Sequence, residues 1–285
     1  MTADDTIISM LATRLLERIG GIGHLAVAYS GGADSALVLA AAVRALGPDR
    51  VLAVTAVSES LAAAELAPAT AFAETLGVAY LTPHTHELRS PGYRANGPDR
   101  CYFCKSEVLT TIKALAETRG FGNVATGTNA DDVVDPFRPG IRAGRERGIH
   151  TPLADNGLTK DRVRRISELW GLPTWDKPAA PCLASRISYG IEVTGHRLAR
   201  IDRAETAVRA LLADVGIPVT DLRVRDLGRS ARVELAPDAR TAVSSDTTLA
   251  NSVRQAVAAA GFVDAALHVD AFRSGRLNHE GVRTE

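Results

Sequence analysis

Apolar residues fall in two alternating patterns over the first two-thirds of the chain. Ile7, Ile8, Leu11, Leu15 and Leu16 have helical spacing and predict a helix over residues 6–18. Short apolar runs at Leu25–Ala28, Val51–Val57, Val78–Leu81 and Asn123–Ala125 predict buried strands. Between them, Ala36–Val43, Glu65–Leu76 and Ser106–Thr118 predict helices, and Thr159 is placed to cap another that runs through Trp170 and ends at Gly171-Leu172-Pro173. Strands alternating with helices imply a parallel sheet covered on both faces. The span Ser90–Arg100, rich in Pro, Gly and Asn, predicts an irregular loop that delivers Arg100–Lys105. Arg138–Arg142 opens a basic helix.

After Asp176-Lys177-Pro178 the pattern changes. Helix (196–214), strand (222–224), strand (231–235), helix (246–260) and strand (266–269) predict a smaller α+β domain. The expected division is therefore 1–178 and 179–285.

The first strand runs into Tyr29-Ser30-Gly31-Gly32-Ala33-Asp34-Ser35. Two glycines at a strand–helix junction allow a tight turn and close approach to a ligand. The amides that follow open a helix N-terminus, where an anion is favoured. Ser30 and Ser35 add hydroxyl donors. The chemistry points to phosphate. No Walker A pattern is present, and Gly21-x-Gly23-x-x-Ala26 precedes the strand instead of following it, which excludes a dinucleotide fingerprint. Ser-Gly-Gly-x-Asp-Ser resembles the PP-loop of ATP pyrophosphatases. That resemblance implies that Ser30, Gly31, Gly32, Asp34 and Ser35 hold the leaving pyrophosphate and its Mg2+. Ligands of such sheets sit beyond the carboxyl ends of the strands, which brings in Ser58 and Ser60 after the second strand, beside the adenosine in that family. Gly127, Asn129 and Asp131 follow the fourth strand and offer close approach and polar oxygens, although the same residues also suit an Asx-rich turn.

The chain has 285 residues, is 46% hydrophobic, and balances 33 Lys+Arg against 33 Asp+Glu. It can build a full core. Zero net charge argues against a nucleic-acid partner. No apolar run approaches a membrane span, and the acidic Met1–Asp5 is unlike a signal peptide; the expected location is the cytoplasm. His84 and His86 read as surface histidines.

In a cytoplasmic protein the three cysteines are not expected to form structural disulfides. Cys101 and Cys104 form a Cys-x-x-Cys pair, and Cys182 stands in Pro181-Cys182-Leu183-Ala184-Ser185-Arg186, where Lys177 and Arg186 would favour the thiolate. A dithiol, a zinc site completed by histidine, and a cubane cluster with one open iron are all compatible with that set.

Together these segments closely resemble the LarE family of ATP-dependent pyridinium-biscarboxylate sulfur transferases. The match rests on the PP-loop, Arg-Cys-x-x-Cys-Lys, Gly-Thr-Asn-Ala-Asp-Asp, Arg-Pro-Gly-x-Arg-Ala, Gly-Leu-Thr-Lys, Gly-Leu-Pro-Thr-Trp-Asp-Lys-Pro-Ala, Cys-Leu-Ala-Ser-Arg and the tail Phe272–Asn278. The resemblance implies a PP-loop (adenine nucleotide α-hydrolase-like) α/β fold followed by the smaller α+β domain, and a homo-oligomer. It implies adenylation of a nucleotide-like small molecule, pyridinium-3,5-biscarboxylic acid mononucleotide, and its conversion to thiocarboxylates for a nickel-pincer cofactor. Cys182, Asp34, Ser185 and Lys177 become the catalytic set. Arg223 and Arg225, which alternate on one strand and so share a face, become substrate ligands with Arg186 and Arg232. The three-cysteine pattern implies a 4Fe–4S cluster on Cys101, Cys104 and Cys182, a reading that requires the three sulfurs to converge beside the pyrophosphate turn. The alternatives are Cys182 as a sacrificial sulfur donor, and a PP-loop tRNA thiolase. Ser188 stands where the family usually has proline, which predicts a less rigid loop after Cys182. One extra residue before Arg138 leaves Asp135 without an assigned role.

Overall fold

A computed structural model describes residues 3–135, 138–262 and 266–272. The chain runs α1 (Ala3–Gly20), β1 (Leu25–Ala28), α2 (Ala33–Leu46), β2 (Val51–Val54), α3 (Ala63–Thr75), β3 (Ala79–Leu81), α4 (Pro91–Arg94), α5 (Arg100–Thr118), β4 (Asn123–Thr126), α6 (Ala130–Val134), α7 (Gly140–Glu146), α8 (Pro152–Asp155) and α9 (Lys160–Leu169). It continues with α10 (Gly195–Asp214), β5 (Leu222–Asp226), β6 (Ser230–Leu235), α11 (Pro237–Ser245), α12 (Thr247–Ala259) and β7 (Ala266–Ala271). Two compact units result. One comprises residues 1–58, 64–87 and 99–180; the other comprises 59–63, 88–98 and 181–285.

In the first unit β3-β2-β1-β4 form a parallel sheet. Side-chain alternation divides its residues between two cores. Leu25, Val27, Val51 and Ala53 pack with α1, α2 and α9, while Ala26, Leu52, Val54 and Val124 pack with Leu109, Ile112 and Ala116 of α5. Ile8, Ala12, Leu15 and Ile19 give α1 one buried stripe. By contrast α2 is apolar nearly all round and mostly buried, so the helix behind the Gly31-Gly32 turn is wedged in the core.

The expected α/β sheet is present, with local differences along the chain. The Cys-x-x-Cys segment is not in a loop: α5 begins at Arg100, where Asp99 O accepts Tyr102 N (2.9 Å) and Phe103 N (3.3 Å). No Gly or Pro interrupts residues 100–118, and packing of α5 against α7 overrides the modest helix propensity of Cys, Tyr and Phe. The span before it contains α4, with Pro91 in the first turn and Ser90 Oγ accepting Tyr93 N. A further helix, α11, which the sequence did not predict, starts at Pro237, also a first-turn proline.

The second unit holds the sheet β5-β6-β7, with β5–β6 antiparallel and β6–β7 parallel. Its pin is Asp226, whose carboxylate is fully buried. Arg197 Nη1 donates to both of its oxygens at 2.8 Å, and Arg200 Nη2 donates at 2.5 Å. The Asp226 carbonyl accepts Ser188 N at 3.0 Å, a bond that proline could not make. Ser188 therefore ties the loop after Cys182 to β5, contrary to the looser loop expected from the missing proline.

Candidate functional site: a pyrophosphate turn and a cysteine turn

In the first unit Gly31 takes φ +75°, a left-handed conformation that favours glycine. A Cβ there would also lie 3.3 Å from Ala69 Cβ of α3. Gly32 caps α2, with no side-chain cap hydrogen bond among the described residues. The first-turn amides are directed at the turn, which suits an anion. The serines brace the loop: Ser30 N donates to Ser35 Oγ (3.2 Å), the two hydroxyls lie 3.1 Å apart, and Ser35 Oγ donates to Gly32 O (3.0 Å). Burial, with Tyr80 and Glu65 adding to it, pushes the Tyr29 phenol well above its usual range.

Asp34 carries the charge. Its Oδ2 accepts Lys160 Nζ, while its Oδ1 is buried with no hydrogen-bond partner among the described residues. A buried carboxylate oxygen without a donor fits a divalent cation. Mg2+ held there would neutralise phosphate oxygens. Lys160, which the sequence reading did not select, joins three motifs: its backbone N donates to Asp131 Oδ2 (2.7 Å), Thr159 Oγ1 caps its helix, and its ammonium reaches Asp34. A cation at the first position of a helix opposes the dipole; that mismatch was the available signal.

Gly127, Asn129 and Asp131 sit at the end of β4, as expected, and each makes a structural contact there. Asn129 and Asp132 form a reciprocal capping box on α6, and Asp131 is engaged by Lys160. Gly127 makes its close approach to α2, where a Cβ would lie 2.5 Å from Ser35 N and 2.8 Å from Asp34 C. Lys177 donates to Gly31 O (2.9 Å) and to Glu65 Oε2 (2.7 Å). Ser58 hydrogen-bonds the Glu87 carboxyl, which burial pushes up. Ser60 belongs to the other unit, where its carbonyl accepts Leu183 N at 2.8 Å. His84 and His86 are exposed.

All three cysteines are half-buried, and none forms a disulfide among the described residues. Cys101 and Cys104 are three residues apart on the first turns of α5, so they share a face. The Cys104 thiol lies 4.0 Å from Glu87 Oε1. Cys182 belongs to the second unit. Its turn is closed by Ser185 N and Oγ on Cys182 O (3.0 and 2.7 Å). Three thiols suit iron–sulfur ligation in donor type. Among the described residues, however, no three His, Cys, Asp or Glu gather as a metal-holding group.

The expected substrate arginines Arg186, Arg225 and Arg232 have carboxylate partners within the second unit. Arg186 pairs with Glu205 (2.9 and 3.1 Å) and donates to Pro181 O, Cys182 O (3.1 Å) and Ser185 Oγ (3.2 Å). Arg225 pairs with Glu234 (3.0 and 2.9 Å) and holds Ser185 O (3.1 Å). Arg232 pairs with Asp270 at 3.3 Å. The geometry of Arg186 and Arg225 therefore fixes the cysteine turn. Arg223 shares the buried face with Arg225; burial first, then the nearby Arg186, lowers it to about 10. Its guanidinium lies over Phe272, 5.3 Å from the ring centre. Residues 273–278 of the expected family tail lie outside the described residues. No helix among the described residues is long and apolar enough to cross a membrane.

A family model described as NAD synthase matches residues 10–90, the stretch containing the pyrophosphate turn. Over 264 residues the chain is 43% identical to the uncharacterized protein slr1717 of Synechocystis, covering 93% of this chain and 95% of that one. It is 26% identical over 179 residues to the uncharacterized protein MJ0830 of Methanocaldococcus jannaschii, covering 63% of this chain and 66% of that one. It is 32% identical over 274 residues to the pyridinium-3,5-bisthiocarboxylic acid mononucleotide synthase of Lactiplantibacillus plantarum, covering 95% of this chain and 96% of the relative. That identity holds across nearly both full lengths, so the chain belongs to the LarE family of PP-loop proteins.

Proposed function

We propose that this protein uses ATP to adenylate the carboxylates of pyridinium-3,5-biscarboxylic acid mononucleotide and converts each to a thiocarboxylate. The observation that carries the reading is the turn of Gly31 and Gly32 ahead of the uncapped N-terminus of α2, with the partnerless Oδ1 of Asp34 behind it. The name of the Lactiplantibacillus relative supports the substrate. Residues 1–178 act as the ATP-binding domain and 179–285 as the substrate domain.

A substrate carboxylate oxygen attacks the α-phosphorus, and the bond from that phosphorus to the bridging oxygen breaks. Pyrophosphate leaves with its charge received by the α2 amides and by Lys160; Asp34 would hold a magnesium ion, which would supply further neutralisation of phosphate charge. A sulfur nucleophile then attacks the acyl carbon, AMP departs, and a thiocarboxylate remains. Arg186, Arg223, Arg225 and Arg232 are the ligands proposed for the anionic substrate. A cluster on Cys101, Cys104 and Cys182 would supply the sulfide. The second reading, with Cys182 sacrificed as donor, is supported by the turn that Arg186 holds through Cys182 O.

Asp34→Ala should reduce ATP-dependent pyrophosphate release roughly 10²–10³-fold with the melting temperature unchanged; retained release would count against the assigned turn. The sulfur source is read separately. Protein purified without oxygen should contain iron and sulfide, and Cys182 should keep its mass after turnover. Loss of the elements of hydrogen sulfide at Cys182 in iron-free, active protein would instead select the sacrificial route.

A further inference from the structure

We infer that Glu65 is a positioning residue for the nucleotide: it acts through Lys177, holding that ammonium where its remaining N–H reaches a phosphate oxygen on the turn. The inference rests on the proposed ATP chemistry. Lys177 is fixed at both ends within the first unit. Arg164 Nη2 donates to its carbonyl (3.0 Å), its own amide donates to Thr174 O (3.2 Å), and its ammonium bonds Gly31 O and Glu65 Oε2. An ammonium has three donors and a tetrahedral arrangement. A turn carbonyl and a carboxylate take two of them. The third is left at Gly31, beside amides that already favour an anion.

Glu65 is what keeps the group there. Both side chains are mostly buried, at 22% and 23% exposure. Gly31 O alone is a neutral acceptor, and an ammonium held by it alone would gain hydration by swinging out. The carboxylate at 2.7 Å is a charge-assisted partner that opposes this. Glu65 lies in the first turn of α3, where the helix dipole favours a carboxylate. Ala69, one turn further along, is the residue that a Cβ at Gly31 would meet. The same helix therefore shapes the turn and sets the position of its cation.

Calorimetric binding of inorganic pyrophosphate, ATP and AMP, each with magnesium, tests this on the full chain. Glu65→Gln should weaken pyrophosphate and ATP about ten- to hundredfold and leave AMP unchanged. Lys177→Met should do the same. The double variant should be no weaker than Lys177→Met alone, because Glu65 works only through that ammonium. Glu65→Asp, which keeps the charge one methylene shorter, should be intermediate; it carries the test if Glu65→Gln does not fold. Additive losses, equal losses for AMP, or unchanged pyrophosphate affinity in both Glu65 variants would overturn the inference alone. Absence of ATP and pyrophosphate binding in the unsubstituted protein would overturn the ATP reading with it.

Discussion

Replacing Gly127 by alanine is expected to destabilise the nucleotide unit by about 1–3 kcal/mol and to abolish ATP-dependent pyrophosphate release. The reason is contact and not backbone conformation. The new methyl would lie 2.5 Å from Ser35 N and 2.9 Å from Ser35 Cα, and both are backbone atoms at the start of α2. No side chain can rotate to relieve this. Either β4's loop moves outward or the first turn of α2 tilts, and the amides aimed at the turn are displaced with it. Gly122→Ala is the control, since nothing lies within 4 Å of its Cβ position. Thermal unfolding and pyrophosphate release should fall together at Gly127 and stay unchanged at Gly122. A Gly127→Ala protein with normal stability and activity would show that β4's loop adapts without consequence.

Lys160→Met is expected to cut pyrophosphate release by about 100-fold or more with little change in melting temperature. Its side chain is 40% exposed and its ion pair with Asp34 adds little to stability. In the proposed mechanism it supplies a positive charge beside the leaving group. Lys160→Arg should retain part of the rate, because charge and reach are kept while the single-point geometry is lost. A methionine variant with the parent's rate would remove Lys160 from the chemistry and leave it as a support for Asp34.

The strand–turn–helix at residues 25–46 was legible because its apolar run, glycine pair and alanine-rich helix are local features. Leu25–Ala28 is the strand the run predicted. The partners around it were not legible. Lys160 meets Asp34 across 126 positions and Lys177 meets Glu65 across 112, distances over which no periodicity carries information. Asn129 and Asp131 have the composition of both a ligand loop and a helix cap, and only the hydrogen bonds distinguish the two. The arginines of β5 were read correctly as sharing a face, but the sequence does not show that Glu205 and Glu234 lie against Arg186 and Arg225. A buried arginine on a strand demands a carboxylate, and the sequence does not say which one.

Because α5 already begins at Arg100, the separation of Cys101 and Cys104 is set by rotation and not by loop length. Each residue of a helix turns the chain by about 100°, so a gap of three or four positions keeps both sulfurs on one side. A deletion that left one residue between them would point them in nearly opposite directions, even though they would be closer along the chain. The motif therefore cannot shorten and still present a pair.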